Sequence, residues 1–426
     1  MPKVKGYDGA YYSMTWLGPK GYPEDANAGR CYFTGTLGML RFFGEDDVLF
    51  ADGTGGDGFS FRWCPKWGAP AFNGGKGTFH EIWEYTPKAL GFEGHWEQDD
   101  EDGWEGAWAK LRGLVDRGIP VQVGLHYSLL LPYGADGGSP RLGFLNRTMG
   151  RTGFGHHVVV AGYDLAGDTV TIYEPNDVLP HSVYECPIAV FRQAWEESAQ
   201  WKEGEYEAWP NHHAYEGEWS LHDGYGPYLM MWVEPGRDPD WDIAASIRHS
   251  FRRNTRILSG FYPRPYALFG SQWQIPHWET GAPGMARCAE AIRRGELTDT
   301  FAPDGKKIPL FVRGNIPNHG VLGRQGAAGY LRRVAKELEL RGLKADEAQA
   351  AAERMQASSD LFRELRYEED IKQAGEILSR IAEEELAALR HMEAAWPEVR
   401  EITSAGSNWP RNASPQVASV AGAGNS

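Results

Sequence analysis

The chain has 426 residues, 42% of them hydrophobic, which is about twice the common size of a single domain and predicts two domains with cores of their own. Its 43 Lys and Arg against 58 Asp and Glu give a formal charge of −15, which would repel a phosphate backbone and argues against nucleic acid as a partner. No run approaches the roughly 18 apolar residues of a membrane span, and the first residues lack the apolar core of a signal peptide, so we expect a cytoplasmic protein with no membrane partner.

The N-terminal segment is rich in Gly, Pro and Tyr, and residues 1–27 are predicted to form an ordered lead-in without regular structure. A helix is predicted after it, because apolar residues recur at helical spacing: Phe33, Leu37, Leu40 and Phe43. The pattern begins near Gly29 and ends at Gly44, so Cys31 falls in the first turn of the predicted helix. In residues 51–79 glycines alternate with aromatic residues, which predicts loops or bulged strands rather than a helix.

Strands dominate the next part of the chain. A helix from Trp104 to Gly118 comes first, and β-branched or alternating runs then predict five strands: residues 119–126, 156–163, 169–174, 182–186 and 228–233. The short turn at residues 166–168 makes the second and third of these strands a hairpin.

The segment 234–240 has the composition of a domain boundary. We place a first domain at residues 28–235 and a mainly helical domain at 241–403. In the latter, an apolar stripe of 3.6-residue period between Ile371 and Met392 predicts a packed surface helix. Residues 404–426 are small and polar, and we expect them to be disordered.

The four cysteines are scattered singly, which indicates neither a disulfide framework nor a zinc ribbon. We expect no cofactor and no metal, since a site built from His156, His157 and a cysteine would lack a fourth ligand at recognisable spacing. Cys31 stands apart because a helix N-terminus lowers the pKa of a thiol; its alternative role is a small buried apolar residue. Cys64 lies in a predicted loop with no helix to stabilise a thiolate.

A base for such a cysteine is offered by segment 154–164, where a pair of histidines opens an apolar strand. Strand alternation places His156 and His157 on opposite faces, so only one of them is expected to be catalytic. The neighbouring strand of the hairpin ends in Glu174, Asn176 and Asp177, any of which could orient the imidazole.

Five features in this order resemble a known family: the cysteine at a helix start, DRGIPV at 116–121, LPY at 131–133, GHHVVVAGYD at 155–164 and IYEPN at 172–176. They resemble the N-terminal domain of the butirosin-biosynthesis-type acyltransferases and, more distantly, the bacteriocin-processing papain-like cysteine peptidases. The resemblance covers about residues 28–235, and the segment GRQGAAGYLRR at 323–333 resembles the accompanying C-terminal domain. It implies an α+β fold, a papain-like cysteine-enzyme domain with an antiparallel sheet, followed by a mainly helical domain.

The same resemblance implies roles for single residues. The family's histidine falls on His156, and its acidic residue falls on Glu174, where the family has Asp before Pro. Glu is one methylene longer, so Asn176 or Asp177 remain alternatives for orienting His156.

The resemblance also bears on the oxyanion hole and the substrate cleft. Papain-like enzymes carry a Gln about six residues before the cysteine, and this chain has Asp25 there. Asn27 is the substitute donor, together with the backbone N–H of Cys31. His126 and Tyr133 fall where the family's cleft contacts substrate.

The activity implied is amide formation in natural-product biosynthesis, in which Cys31 takes an acyl group from a thioester and passes it to a small amine. The expected partners are that amine and a donor thioester on an acyl or peptidyl carrier protein. One alternative is a peptidase or amidase, which uses the same residues with water as the acceptor. A second is a non-catalytic binding module that kept the fold.

Overall fold

A computed structural model describes residues 2–7, 15–17, 23–25, 31–55, 57–63, 85–97, 101–126, 129–130, 155–174, 183–196, 227–260, 266–268, 271–273, 279–296, 300–301, 307–308, 315–365, 368 and 370–403. Within these residues the protein is an α+β structure, as the sequence predicts.

The N-terminal part of the described chain combines a sheet with five helices. The helices are α1 (Cys31–Phe42), α2 (Val48–Thr54), α3 (Thr86–Ala89), α4 (Gly103–Asp116) and α5 (Ile188–Glu196). The strands are β1 (Thr15–Leu17), β2 (Pro23–Asp25), β3 (Arg62–Trp63), β4 (Gly94–Glu97), β5 (Val121–His126), β6 (Gly155–Asp164), β7 (Thr169–Tyr173), β8 (Val183–Pro187) and β9 (Met230–Val233).

Six of these strands form one antiparallel sheet in the order β4-β9-β5-β6-β7-β8. The predicted hairpin is β6 and β7, and Asp168 in its turn has a φ of 54°, a left-handed conformation that Asp tolerates. The predicted helix stop is also confirmed, since Gly118 has a φ of 80° just after α4.

Helices cover both faces of the sheet. On one face, α4 and α5 supply a layer of large aromatic side chains: Trp104, Trp108, Phe191 and Trp195. Trp104 and Trp108 stack with ring centroids 5.2 Å apart, and Trp195 donates from Nε1 to the carbonyl of Leu229 at 3.1 Å. On the other face lies α1, which leads into the candidate site.

The C-terminal part is mainly helical, as predicted. Its helices are α6 (Ile243–Leu258), α7 (Gly281–Arg293), α8 (Asn315–Glu339), α9 (Asp346–Leu365) and α10 (Ile371–Arg400), with the short strands β10 (Tyr266–Leu268), β11 (Ser271–Trp273), β12 (Glu279–Thr280), β13 (Thr300–Phe301) and β14 (Lys307–Ile308). The predicted apolar stripe lies in α10. A buried ion pair joins α8 to α10, because Arg324 contacts both carboxylate oxygens of Glu385, at 2.7 and 3.0 Å.

One hydrophobic core joins the two parts. It includes residues from α1 and α2, such as Phe33 and Phe50, together with residues from α8 and α10, such as Tyr330 and Met392. The strand β3 also pairs with β12, with Trp63 opposite Glu279. The described parts on the two sides of segment 234–240 are therefore packed into each other.

Two single elements among the described residues differ from the sequence prediction. The lead-in contains a pair of strands, β1 and β2, with Trp16 opposite Glu24; three-residue strands are too short to show an alternating pattern. Residues 51–54 belong to α2 rather than to a loop. Asp47 caps this helix by accepting from the N–H of Phe50 at 3.1 Å, and burial against α8 compensates for its poor helix formers.

No helix among the described residues is both long and apolar enough to span a membrane.

Candidate active site

Cys31 is the first residue of α1, as the sequence predicts. Its side chain is buried, with 6% of its surface exposed. The backbone N–H groups of a first helical turn point out of the helix, so they favour negative charge on a thiol placed there.

Helix α1 meets the sheet at Gly35. A Cβ atom at this position would lie 2.4 Å from Oε1 of Gln122 and 3.3 Å from Cγ2 of Val159, so a larger side chain would push the helix off the sheet. At the next residue, the hydroxyl of Thr36 donates to Oε1 of Gln122 at 3.4 Å and approaches the sulfur of Met231 at 3.9 Å. The helix therefore lies on the face that carries Gln122, Val159 and Met231.

The strand register shows which histidine shares this face. Val159 pairs with Gln122, and His157 pairs with Gly124, two residues along both strands. Because side chains two residues apart lie on the same face, His157 lies on the face covered by α1. It is completely buried. His156 pairs with Leu125, so strand alternation assigns it to the face of β6 opposite the one that α1 covers. Its side chain is outside the described part of the structure, and the register alone does not bring it to Cys31.

The direction in which α1 runs decides which residues of β6 lie next to Cys31. At the far end of the helix, Phe42 contacts Tyr7 at a centroid distance of 5.4 Å, and Tyr7 follows the segment whose Lys3 bridges to Gly162 late in β6. The N-terminus of α1 therefore points toward the start of β6.

Cys31 lies one helical turn before Gly35, on the same side of the helix. Four helical residues span about 6 Å, and two strand residues span about 6.7 Å. Since a Cβ atom at Gly35 would lie 3.3 Å from Cγ2 of Val159, we infer that Cys31 lies, along the strand direction, near the Gly124–His157 pair.

The other predicted site residues are less completely described. Glu174 follows β7 and is 2% exposed; since Tyr173 pairs with Val159, Glu174 comes at the level of Val158. His126 ends β5, opposite Gly155, and its side chain is outside the described residues. Wholly outside them lie Asn27, Tyr133, Asn176 and Asp177.

Two further cysteines are buried thiols. Burial raises the pKa of Cys186 to about 12 and raises that of Cys288 well above its usual range, so neither forms a thiolate near neutral pH. Cys64 lies outside the described residues. In the described part of the chain, no group of three or more His, Cys, Asp or Glu side chains could hold a metal ion.

The comparison with protein families gives a match in the N-terminal part of the chain. Residues 74–202 match the Peptidase_C39 like family. The match covers less than a third of the chain and takes in both histidines and Glu174, whereas Cys31 precedes it. It supports a papain-like domain related to cysteine peptidases. No curated protein matches the chain.

Sequence reasoning missed three residues where α1 contacts the sheet: Thr36 of α1, and Gln122 and Gly124 of β5. A signal was present, because Gln122 interrupts an otherwise apolar strand and a polar residue in such a strand marks a buried polar contact. The pairing of Gly124 with His157 could not be found from local pattern, since register depends on how two distant strands meet.

Proposed function

We propose that the chain is a cysteine-dependent acyltransferase that moves an acyl group from a thioester to a small amine. The observation that carries the proposal is the position of Cys31: it begins α1, which lies on the face of the sheet to which β6 contributes His157. The choice of His156 rather than His157 as the base comes from the resemblance to the acyltransferases. The family match of that strand to a cysteine-peptidase-like family adds support.

The reaction has two half-steps. The thiolate of Cys31 attacks the thioester carbonyl, and the donor thiolate leaves with a proton from the imidazolium of His156. The amine then attacks the acyl-enzyme and gives its proton back to His156, which releases an amide and the Cys31 thiolate. Glu174, Asn176 or Asp177 orients His156, and Asn27 with the backbone N–H of Cys31 stabilises the oxyanion.

The substrates follow from the resemblance to butirosin-biosynthesis-type acyltransferases. The donor is an acyl thioester on the phosphopantetheine arm of an acyl or peptidyl carrier protein, and the acceptor is a small amine-bearing intermediate. His126 and Tyr133 are proposed to line the cleft that receives them.

Peptide or amide hydrolysis is the second candidate, and the match to a peptidase-like family favours it. The same nucleophile and base would serve it, with water as the acceptor in the second half-step. The two activities differ in how well the cleft holds an amine and excludes water.

Intact-protein mass spectrometry tests the proposal. The wild type and Cys31→Ala are exposed to iodoacetamide near pH 6 and, separately, to small-molecule acyl thioesters. We expect a single fast adduct and a single acyl mass on the wild type, and neither on the variant. His156→Ala should slow acyl transfer by about a hundredfold or more.

Acceptor competition then separates the two candidates. If the acyl mass disappears at a rate that depends on amine concentration, and an amide is formed, the result supports transfer. Loss at the same rate without amine supports hydrolysis. Equal, slow labelling of the wild type and Cys31→Ala would reject both and leave a non-catalytic binding module.

A further inference from the structure

A row of polar side chains lies between α1 and the sheet, and we call Thr36, Gln122 and His157 the polar seam. All three are completely buried. Thr36 and Gln122 are hydrogen-bonded to each other at 3.4 Å, and His157 lies two residues along the sheet face from the Gln122–Val159 pair.

Packing alone does not explain these residue types. Burying an amide or an imidazole costs free energy unless its polar atoms are satisfied, and an apolar side chain of similar size would fill the same space. The neighbouring positions on this face are apolar, as at Val159 and Met231. The polar residues are thus confined to the stretch of sheet that leads toward Cys31.

The register leaves room for the imidazole at the end of the seam. His157 is paired with Gly124, which has no side chain to occupy the space beneath the first turn of α1. Along the strand direction, the position inferred for Cys31 is next to this pair. The Gly124–His157 pair is the position on this face from which a ring can extend toward that turn.

We propose that His157 is a positioning residue, which donates a hydrogen bond toward the Cys31 thiolate and holds the first turn of α1. The proposal rests on the catalytic role of Cys31. The base is proposed to be His156, and His157, whose side chain is fully buried, is proposed to act on the thiolate without exchanging a proton with substrate.

Among the described residues, few other ionisable groups lie near this position. Among described residues of the strands that α1 covers, this face presents Gln122 and Gly124 on β5, Met231 and Val233 on β9, and His157 and Val159 on β6. Of these, only His157 has an ionisable side chain. Glu174 and Tyr173 belong to β7 and its end, beyond β6.

The test is the pH dependence of the rate at which iodoacetamide alkylates Cys31, followed by mass spectrometry. His157→Phe keeps a ring of similar size and removes the donor. We expect it to raise the midpoint of the rate profile by about one pH unit, a tenfold loss of thiolate below the midpoint. His157→Asn restores an N–H donor and should recover part of the shift.

Val159→Ala is the matched control, because it lies on the same strand and face and touches Gly35. It should lower the melting temperature and leave the midpoint unchanged. Thr36→Val, which removes one hydroxyl from the seam and leaves His157 in place, covers the case in which both His157 variants fail to fold. It should move the midpoint upward by less than His157→Phe does.

Two outcomes would overturn the proposal. If folded His157→Phe keeps the wild-type midpoint, the polar seam contributes only to packing. If the His157 variants do not fold, a wild-type midpoint in Thr36→Val leads to the same conclusion. Loss of acyl transfer in His157→Phe with transfer retained in His156→Ala would make His157 the base. If wild-type Cys31 is not selectively alkylated, the proposed function fails first, and that result is distinct from either.

Discussion

The described cysteines differ in whether their surroundings favour or disfavour the charged thiolate. Cys31 lies where a helix begins, whereas Cys186 lies in β8 with its thiol against the sheet core and Cys288 lies inside α7. For the latter two, loss of hydration on burial raises the pKa, because the thiolate is the charged form. The same residue type is therefore expected to react in one place and to be inert in two others.

This contrast predicts the alkylation of Cys186. With a pKa of about 12, its thiolate fraction at pH 9 is about one in a thousand. Its labelling by iodoacetamide in the folded protein should rise about tenfold per pH unit from pH 7 to pH 10, without a plateau. Peptide mapping after timed labelling measures this, with Cys186→Ala as the control. A plateau below pH 9 would show that the thiol is not buried as the structure has it.

At the scale of helices, two glycines in regular helical segments have opposite surroundings. Gly326 in α8 faces α2 so closely that an added Cβ would lie 2.3 Å from Oδ2 of Asp52, a fully buried residue. Gly113 in α4 is exposed, and an added Cβ would meet nothing within 4 Å. One glycine permits a close helix contact, and the other only lowers helix propensity.

Replacing each glycine by Ala should therefore change stability in opposite directions. Gly113→Ala should stabilise the protein by about 0.5–1 kcal/mol, because Ala is the better helix former. Gly326→Ala should destabilise it by about 1–3 kcal/mol, because α2 and α8 must separate. Urea unfolding of both variants beside the wild type gives the two values. Stabilisation by Gly326→Ala would contradict the close packing of α2 on α8.

The sequence predicts a helix or strand correctly where one face of that element carries a continuous apolar pattern. Such patterns give α1 through Phe33 and Leu37, and the hairpin through Val158 to Val160 and its turn. The sequence also singled out Cys31 at a helix start. It could not show which face of β6 meets α1, because that depends on long-range pairing of β5 with β6 and on the absence of a side chain at Gly35. Helix α2 escaped prediction because its stability comes from tertiary burial.

At the scale of the whole molecule, the core that holds α1 is not made by the N-terminal part alone. Phe33 and Leu37 of α1 belong to the same apolar cluster as Leu331 and Val334 of α8. Contacts also run through polar groups, since Tyr330 of α8 shares a hydrogen bond of 2.7 Å with Ser250 of α6, and Asn254 of α6 donates to the carbonyl of Gly53 in α2 at 2.9 Å. The helix that begins at Cys31 is thus supported from the far side by the C-terminal helices.

This arrangement predicts that a fragment of residues 1–240 does not form the active site. Without α6, α8 and α10, the fragment would expose the apolar side of α1 and α2, and the hydrophobic free energy that fixes α1 on the sheet would be lost. We expect the fragment to bind the dye ANS, to lack a near-UV circular dichroism signal and to show no fast alkylation of Cys31, whereas the full chain unfolds in one transition followed alike by far-UV signal and Trp fluorescence. The C-terminal helices added in trans serve as the control. If the fragment folds and iodoacetamide alkylates its Cys31 at the rate seen in the full chain, the C-terminal helices are not needed to position the nucleophile.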